Sequence, residues 1–211
     1  MLFIFDWDGT ISNSAEKIVR CMQVAAERAG VQARSDTQVR NIIGLGMPEA
    51  LQTLYPELNE ENRERIRIEY SNFFRAEDTV PSPFFAGAME TMEHLREQGF
   101  LVSVATGKSR QGLDRVLANL EMQDFFHASR CADETASKPH PQMLSEILEE
   151  LSVSVDQAVM VGDTEYDMGM AKNIGMKKIA VSYGAHKLER LKKYEPEMCI
   201  DEFSQIKNWC F

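Results

Sequence analysis

The chain has 211 residues, of which 44% are hydrophobic and 27% are charged, and its formal net charge is −10. This is an ordinary globular composition, and a chain of this length buries a hydrophobic core without disulfide or metal cross-links. The acidic charge without a basic block argues against binding to nucleic acid or to an anionic membrane. No segment approaches the ~20 apolar residues of a membrane span. Scattered cysteines without a CxxC motif, and an N-terminal apolar run that ends in acids, favour a cytoplasmic protein.

The chain opens with a predicted strand and continues with a helical block. The short apolar run over residues 2–5 is typical of a strand buried on both faces, and it ends at two acids and a Gly-Thr turn. Helical spacing of apolar residues then predicts a helix that ends near Gly30, and further helices over residues 37–43, 48–54 and 59–75. No strand pattern is visible between residue 12 and about residue 78.

Beyond a Pro-rich linker at residues 78–83, strands and helices alternate. We predict strands over 100–105, 125–130, 158–161 and 178–181, separated by helices over 88–98, 109–120, 141–151 and 164–174. This alternation is typical of a parallel sheet with crossover helices, and the first strand is expected to join it because it cannot stand alone. The predicted fold is α/β: a Rossmann-like parallel-sheet core from residues 1–11 and 85–211, with an inserted α-helical cap from residues 12–84 that is hinged at 12–14 and 78–83.

Candidate functional residues follow the predicted strands or lie in one loop between them: Asp6, Asp8, Thr106, Gly107, Lys138, Asp163 and Asp167. The carboxyl ends of parallel strands share one edge of the sheet, so these residues are expected to converge there. Carboxylates gathered in one place repel one another unless a cation binds, and oxygen ligands with little His or Cys suit Mg²⁺. A lysine and a hydroxyl beside such a cation suit a phosphoryl group. One carboxylate can act as a nucleophile and a second can transfer protons.

Four motifs resemble the haloacid dehalogenase-like hydrolase superfamily and occur in that family's order. They are Asp6-Trp7-Asp8-Gly9-Thr10, Ala105-Thr106-Gly107-Lys108, Ser137-Lys138-Pro139-His140-Pro141 and Gly162-Asp163-Thr164-Glu165-Tyr166-Asp167. A helical insertion after the first motif is similar to the phosphoglycolate-phosphatase-like branch of the family. The resemblance implies a Mg²⁺-dependent phosphatase that hydrolyses a small organic phosphate monoester, such as phosphoglycolate, through an aspartyl-phosphate.

The same resemblance implies a role for each matching residue. Asp6 is expected to be the nucleophile and Asp8 the general acid and base. Asp6, the backbone carbonyl of Asp8, and Asp163 are expected to hold Mg²⁺, with Asp167 as a further or supporting ligand. Thr106, Gly107 and Lys138 are expected to bind the phosphoryl oxygens, and Thr10 to orient the first motif.

Substrate selection in this branch belongs to the cap, which makes three of its residues candidates for specificity: Arg40, Gly44 and Glu49. A plain helix-capping turn is the alternative interpretation of the Gly44-Leu45-Gly46 segment. A phosphomutase of the same superfamily is the alternative function, and a non-catalytic binding or signalling protein is a further one. The expected partner is a small phosphorylated metabolite, with no nucleic acid and no membrane, and the expected assembly is a monomer or a homodimer.

Overall fold

A computed structural model describes residues 1–77 and 81–210 of the protein. Its sheet has six parallel strands in the order β3-β2-β1-β4-β5-β6. The strands are β1 (Leu2–Phe5), β2 (Leu101–Thr106), β3 (Ala128–Cys131), β4 (Ala158–Gly162), β5 (Lys177–Val181) and β6 (Met198–Ile200). The first strand therefore joins the later sheet, as predicted, and lies at its centre between β2 and β4.

The α-helices that the structure describes are α1 (Ala15–Arg28), α2 (Asp36–Arg40), α3 (Met47–Leu54), α4 (Glu60–Glu77), α5 (Ala88–Glu97), α6 (Arg110–Asn119), α7 (Gln142–Leu151), α8 (Glu165–Asn173) and α9 (Leu188–Leu191). Short 3-10 helices cover Val155–Gln157, Lys192–Tyr194 and Phe203–Asn208. None of the helices described here combines the length and the hydropathy that a membrane crossing requires.

Alternation along β1 explains why the sheet has a helical layer on each face. Phe3 and Phe5 pack into one hydrophobic cluster with residues of α5, α6 and the C-terminal 3-10 helix. Leu2 and Ile4 belong to a second cluster, which contains residues of α7 and α8. Because successive side chains of a strand point to opposite faces, an unbroken apolar run buries both faces of the strand. The α/β prediction is confirmed.

The strand predicted over residues 125–130 is wrong at its start, and β6 was not predicted. The Phe125 amide donates to the Met122 carbonyl in a turn, and the Phe126 ring packs against Trp7 with 6.2 Å between ring centroids. These aromatic residues have strand propensity, but they pack against the core while the backbone forms a turn. The strand therefore begins only at Ala128. Strand β6 is three residues long, too short for an alternating pattern to be recognised.

Helices α1 to α4, which we call the helical segment, have a hydrophobic cluster of their own. Val19 and Met22 of α1 pack there with Leu51 of α3 and Ile66 of α4. This cluster excludes water without help from the sheet, which suits an insertion between β1 and β2. The predicted cap boundaries stay a prediction, and the hinge at 78–83 lies partly outside the described residues.

The loop over residues 41–46, between α2 and α3, joins the helical segment to the carboxyl edge of the sheet. The Tyr166 hydroxyl donates to the Asn41 carbonyl at 2.7 Å, and Arg190 Nη1 donates to Asn41 Oδ1 at 2.6 Å. The Gly46 amide donates to Ser137 Oγ at 2.8 Å. These hydrogen bonds hold the loop against the carboxyl edge of the sheet.

A left-handed turn at Gly9 brings the end of β1 against the end of β4. Gly9 has φ of +92°, and its amide donates to the Ser12 carbonyl at 2.9 Å. A Cβ atom added at Gly9 would lie 2.2 Å from Asp163 Oδ2. The position therefore requires glycine for two reasons, the backbone conformation and the close approach of Asp163.

We predict that Ile66→Ala destabilises the protein by about 2–5 kcal/mol, because it leaves a cavity in the core of the helical segment. Ile66 is fully buried, whereas Ile68 on the same helix is 44% exposed. The matched variant Ile68→Ala is expected to change the free energy of unfolding by less than about 0.5 kcal/mol. Urea denaturation followed by circular dichroism measures both, and equal effects would contradict a separate core here.

A second pair of variants separates backbone strain from collision at the strand ends. Gly30 has φ of +75° with nothing within 4 Å of an added Cβ, so Gly30→Ala carries the conformational cost alone, about 1–2 kcal/mol. Gly9→Ala adds the collision with Asp163 and is expected to cost clearly more. The measurement is again urea denaturation, and a Gly9→Ala effect no larger than that of Gly30→Ala would show that Asp163 moves aside freely.

Candidate active site

A buried lysine lies between two buried carboxylates at the carboxyl edge of the sheet. Lys138 Nζ is 2.6 Å from Asp6 Oδ1 and 2.7 Å from Asp167 Oδ1. None of the three side chains is exposed by more than 1%. Burial removes the hydration of each charge, and the attraction within an ion pair offsets that free-energy cost only in part. Buried charges held at the edge of a parallel sheet indicate a functional site more strongly than a device for stability.

Asp163, at the end of β4, is held by two donors. The Thr10 hydroxyl donates to Asp163 Oδ1 at 2.9 Å, and the Ala185 amide donates to Asp163 Oδ2 at 2.7 Å. Asp167 is fixed in a similar way, because the Thr164 hydroxyl and amide both donate to its Oδ2 in a capping box at the start of α8. The predicted orienting residue Thr10 thus acts directly on Asp163.

Asp6, Asp163 and Asp167 together form an oxygen cluster that fits a divalent cation. Each offers one carboxylate oxygen, and these atoms all lie within 4.8 Å of one another. The Asp6 Oδ2 atom is buried and has no hydrogen-bond partner among the described residues. A set of carboxylate oxygens without nitrogen or sulfur suits a hard cation such as Mg²⁺.

The pKa values of this cluster reflect its burial and its surplus of negative charge. Burial raises the pKa of Asp6 well above its ordinary value, and the Lys138 ammonium offsets only part of that effect. Burial, followed by the Asp167 carboxylate, raises the pKa of Asp163 to about 7. Burial alone would lower the pKa of Lys138, but the carboxylates of Asp167 and Asp6 raise it above its ordinary value. One ammonium is therefore too little positive charge for three carboxylates, and a bound cation would supply the rest.

The Asp8 carboxylate lies apart from this cluster and has different partners. The Ser14 hydroxyl donates to Asp8 Oδ1 at 2.7 Å, and Lys108 Nζ is 2.9 Å from the same oxygen. Ser14 stands at the cap position of α1 but makes no side-chain capping bond, because its hydroxyl turns to Asp8. The sequence alone does not identify Ser14 or Lys108 as partners of Asp8, although Lys108 is the last residue of the Ala105-Thr106-Gly107-Lys108 motif.

The predicted phosphoryl-binding residues Thr106 and Gly107 lie where the loop over 41–46 meets the sheet. Thr106 is fully buried, and its hydroxyl accepts from the Lys108 amide at 3.2 Å. A Cβ atom added at Gly107 would lie 2.6 Å from the Leu45 carbonyl oxygen. Only glycine permits this close approach between the loop and the end of β2.

A cavity of about 380 Å³ separates the helical segment from the sheet edge. Asp8, Gly107 and Lys108 line it, and so do Gly44 and Glu49 among the predicted specificity residues. The third, Arg40, pairs with Glu16 and is not among the described residues that line the cavity.

Known proteins resemble this chain over almost its whole length. A family model described as haloacid dehalogenase-like hydrolase matches residues 3–181. The chain is 31% identical to the "Probable phosphatase IndB" of Dickeya dadantii, covering 97% of this chain and 91% of that protein. It is 29% identical to the phosphoglycolate phosphatase of Vibrio cholerae, covering 97% and 94%.

A crystal structure of a hydrolase from Pseudomonas syringae has the same fold, with a TM-score of 0.88 at 20% identity over 99% of this chain and 96% of that one. This likeness concerns the fold alone, whereas the family model spans all four motifs from Asp6 to Asp167. The protein belongs to the haloacid dehalogenase-like hydrolase family.

Proposed function

We propose that the protein is a Mg²⁺-dependent phosphatase that hydrolyses a small organic phosphate monoester through a phosphorylated Asp6. The observation that carries the proposal is the state of the Asp6 carboxylate. One of its oxygens contacts Lys138, and the other is buried without a hydrogen bond from any described residue. The names of two relatives, a phosphatase and a phosphoglycolate phosphatase, support the same reaction class.

In the first half of the reaction, Asp6 attacks phosphorus. The bond between Asp6 and phosphorus forms as the bond from phosphorus to the leaving alcohol breaks. Lys138 orients Asp6 and offsets charge on the phosphoryl oxygens, which Thr106 and Gly107 also contact. Bound Mg²⁺, held by Asp6, Asp163, Asp167 and the backbone carbonyl of Asp8, would neutralise the acids and the phosphoryl group, so that attack by an anion becomes favourable.

Asp8 transfers a proton in each half of the reaction. It gives a proton to the oxygen of the leaving alcohol, and later accepts one from the water that attacks phosphorus and releases Asp6. Ser14 and Lys108 hold the Asp8 carboxylate in place, and Asp8 lines the cavity in which an alcohol can be accommodated. The inserted cap, residues 12–84, excludes bulk water while the phosphoryl group is transferred.

We predict that Asp6→Asn lowers kcat by roughly 10³-fold or more, because the amide cannot form the covalent intermediate. The fold is expected to survive, since burial disfavours the Asp6 charge and an amide of the same shape removes it. The control Asp156→Asn changes an exposed acid and is expected to keep wild-type activity. The assay measures the release of inorganic phosphate, because a phosphomutase would form an isomeric sugar phosphate instead. Wild-type turnover by Asp6→Asn would refute the assignment of the nucleophile.

Removal of the cation gives a second test. Activity is expected to disappear in EDTA and to return as Mg²⁺ is titrated back. Thr10→Val keeps the side-chain shape but removes the hydroxyl that holds Asp163, so it is expected to raise the Mg²⁺ concentration at half-activation by about 10–100-fold. Equal rates with and without EDTA would show that hydrolysis does not need the metal.

A further inference from the structure

The cavity beside Asp8 has the size of a small-molecule site. Its volume of about 380 Å³ falls within the range of roughly 300–1,000 Å³ that ligand pockets usually have. Asp8, Gly107 and Lys108 line it, so it is continuous with the edge at which the phosphoryl group is transferred. Because the proposed function assigns Asp8 to the leaving alcohol, this cavity lies on the side where the body of that alcohol would be.

The side of the cavity formed by the helical segment is lined mainly by apolar side chains. Its side chains come from α1, α3, α4 and the loop over 41–46, and include Ile18, Ile43, Leu45, Met47, Tyr70 and Phe74. The Phe74 ring centroid is 5.2 Å from Lys108 Nζ and 5.5 Å from the Tyr70 ring. An aromatic wall therefore stands next to the pair formed by Asp8 and Lys108, where the first carbon atoms of a leaving group arrive.

Most of the charged residues of the cavity are poorly placed to bind a second anionic group of the substrate. Lys108 is paired with Asp8, and the Arg67 guanidinium donates twice to Glu64. Two acids, Glu49 and Asp133, also line the cavity and repel a carboxylate. The other lining cations are Arg75 and Arg115, and Arg75 is exposed, so that solvent weakens a pair formed there.

We infer that the substrate is a phosphate monoester whose alcohol has an apolar, ring-sized body, and that phosphoglycolate, with two carbons and a carboxylate, is a poor fit. This inference rests on the proposed function for the position of the phosphoryl group. It assigns the specificity to the apolar wall, with Phe74 and Met47 as its main contacts.

Binding of phosphonates, which cannot be hydrolysed, tests the inference without turnover. Calorimetry with Mg²⁺ present would compare 3-phenylpropylphosphonate with propylphosphonate, and both with 3-phosphonopropionate, the analogue of phosphoglycolate. Burial of a phenyl ring is expected to make the first bind about 10-fold tighter or more than the second. Equal affinity of the first two, or tightest binding of 3-phosphonopropionate, would overturn the inference.

A variant of Met47 links this preference to the apolar wall. Met47 is half-buried and begins α3, where an acid is tolerated because it complements the helix dipole. Met47→Asp is expected to weaken binding of 3-phenylpropylphosphonate about 10-fold and to leave propylphosphonate within about 2-fold. The control Met47→Leu is expected to bind both as the wild type does. Equal losses for both ligands in Met47→Asp would contradict the assignment of specificity to this wall.

Hydrolysis assays separate failure of the inference from failure of the proposed function. With 2-phenylethyl phosphate and phosphoglycolate as substrates, phosphate release is expected to favour the first in kcat/KM. The phenyl preference in binding without any phosphate release would refute the phosphatase reaction and uphold the apolar site. Release from both substrates without a preference would uphold the phosphatase and refute the apolar site.

Discussion

The rest of the site depends on the contacts of one buried ammonium group with two carboxylates. Lys138 reaches Asp6 across 132 positions of the chain and Asp167 across 29, so it ties together the end of β1, the loop before α7 and the start of α8. Its removal would take away the ammonium that both buried acids contact, which is costly in a low-dielectric interior. The sheet order makes these contacts possible, because β1 lies next to β4 and both end at the same edge.

Much of this arrangement follows from the sequence. An apolar run that ends in acids predicts a strand buried on both faces with functional residues at its carboxyl end, and the structure brings Asp6, Lys138 and Asp163 from distant parts of the chain to one edge. What could not be predicted depends on long-range packing. The hydroxyl of Ser14 has a local capping role available and takes a different one, because Asp8 is nearby only in the folded chain. Lys108 likewise resembles any loop lysine until its contact with Asp8 is known.

The helical segment also depends on long-range contacts that its sequence does not predict. The sequence predicts its four helices to within a few residues, because α1 has a clear apolar face and Pro48 marks the first turn of α3. The position of the loop over 41–46 depends on hydrogen bonds from Tyr166 and Arg190. Both residues lie more than a hundred positions further along the chain, and nothing in the loop sequence indicates these contacts. The predicted specificity residue Arg40 illustrates the consequence: it is near the loop in sequence, but its guanidinium pairs with Glu16.

Two unlike environments therefore meet at Asp8. On the side of Asp6, three carboxylates share one ammonium, and the raised pKa values of Asp6 and Asp163 show that burial opposes their full ionisation. A phosphoryl dianion cannot approach such a cluster favourably unless a cation binds with it, so binding of the cation and of the phosphoryl group must be coupled in the proposed reaction. On the other side most of the wall formed by the helical segment is apolar, and in our proposal this wall favours an uncharged body attached to the phosphoryl group. In the proposed reaction the charged part of the site would hold the phosphoryl group that all substrates share, and the mainly apolar part would recognise the alcohol in which they differ.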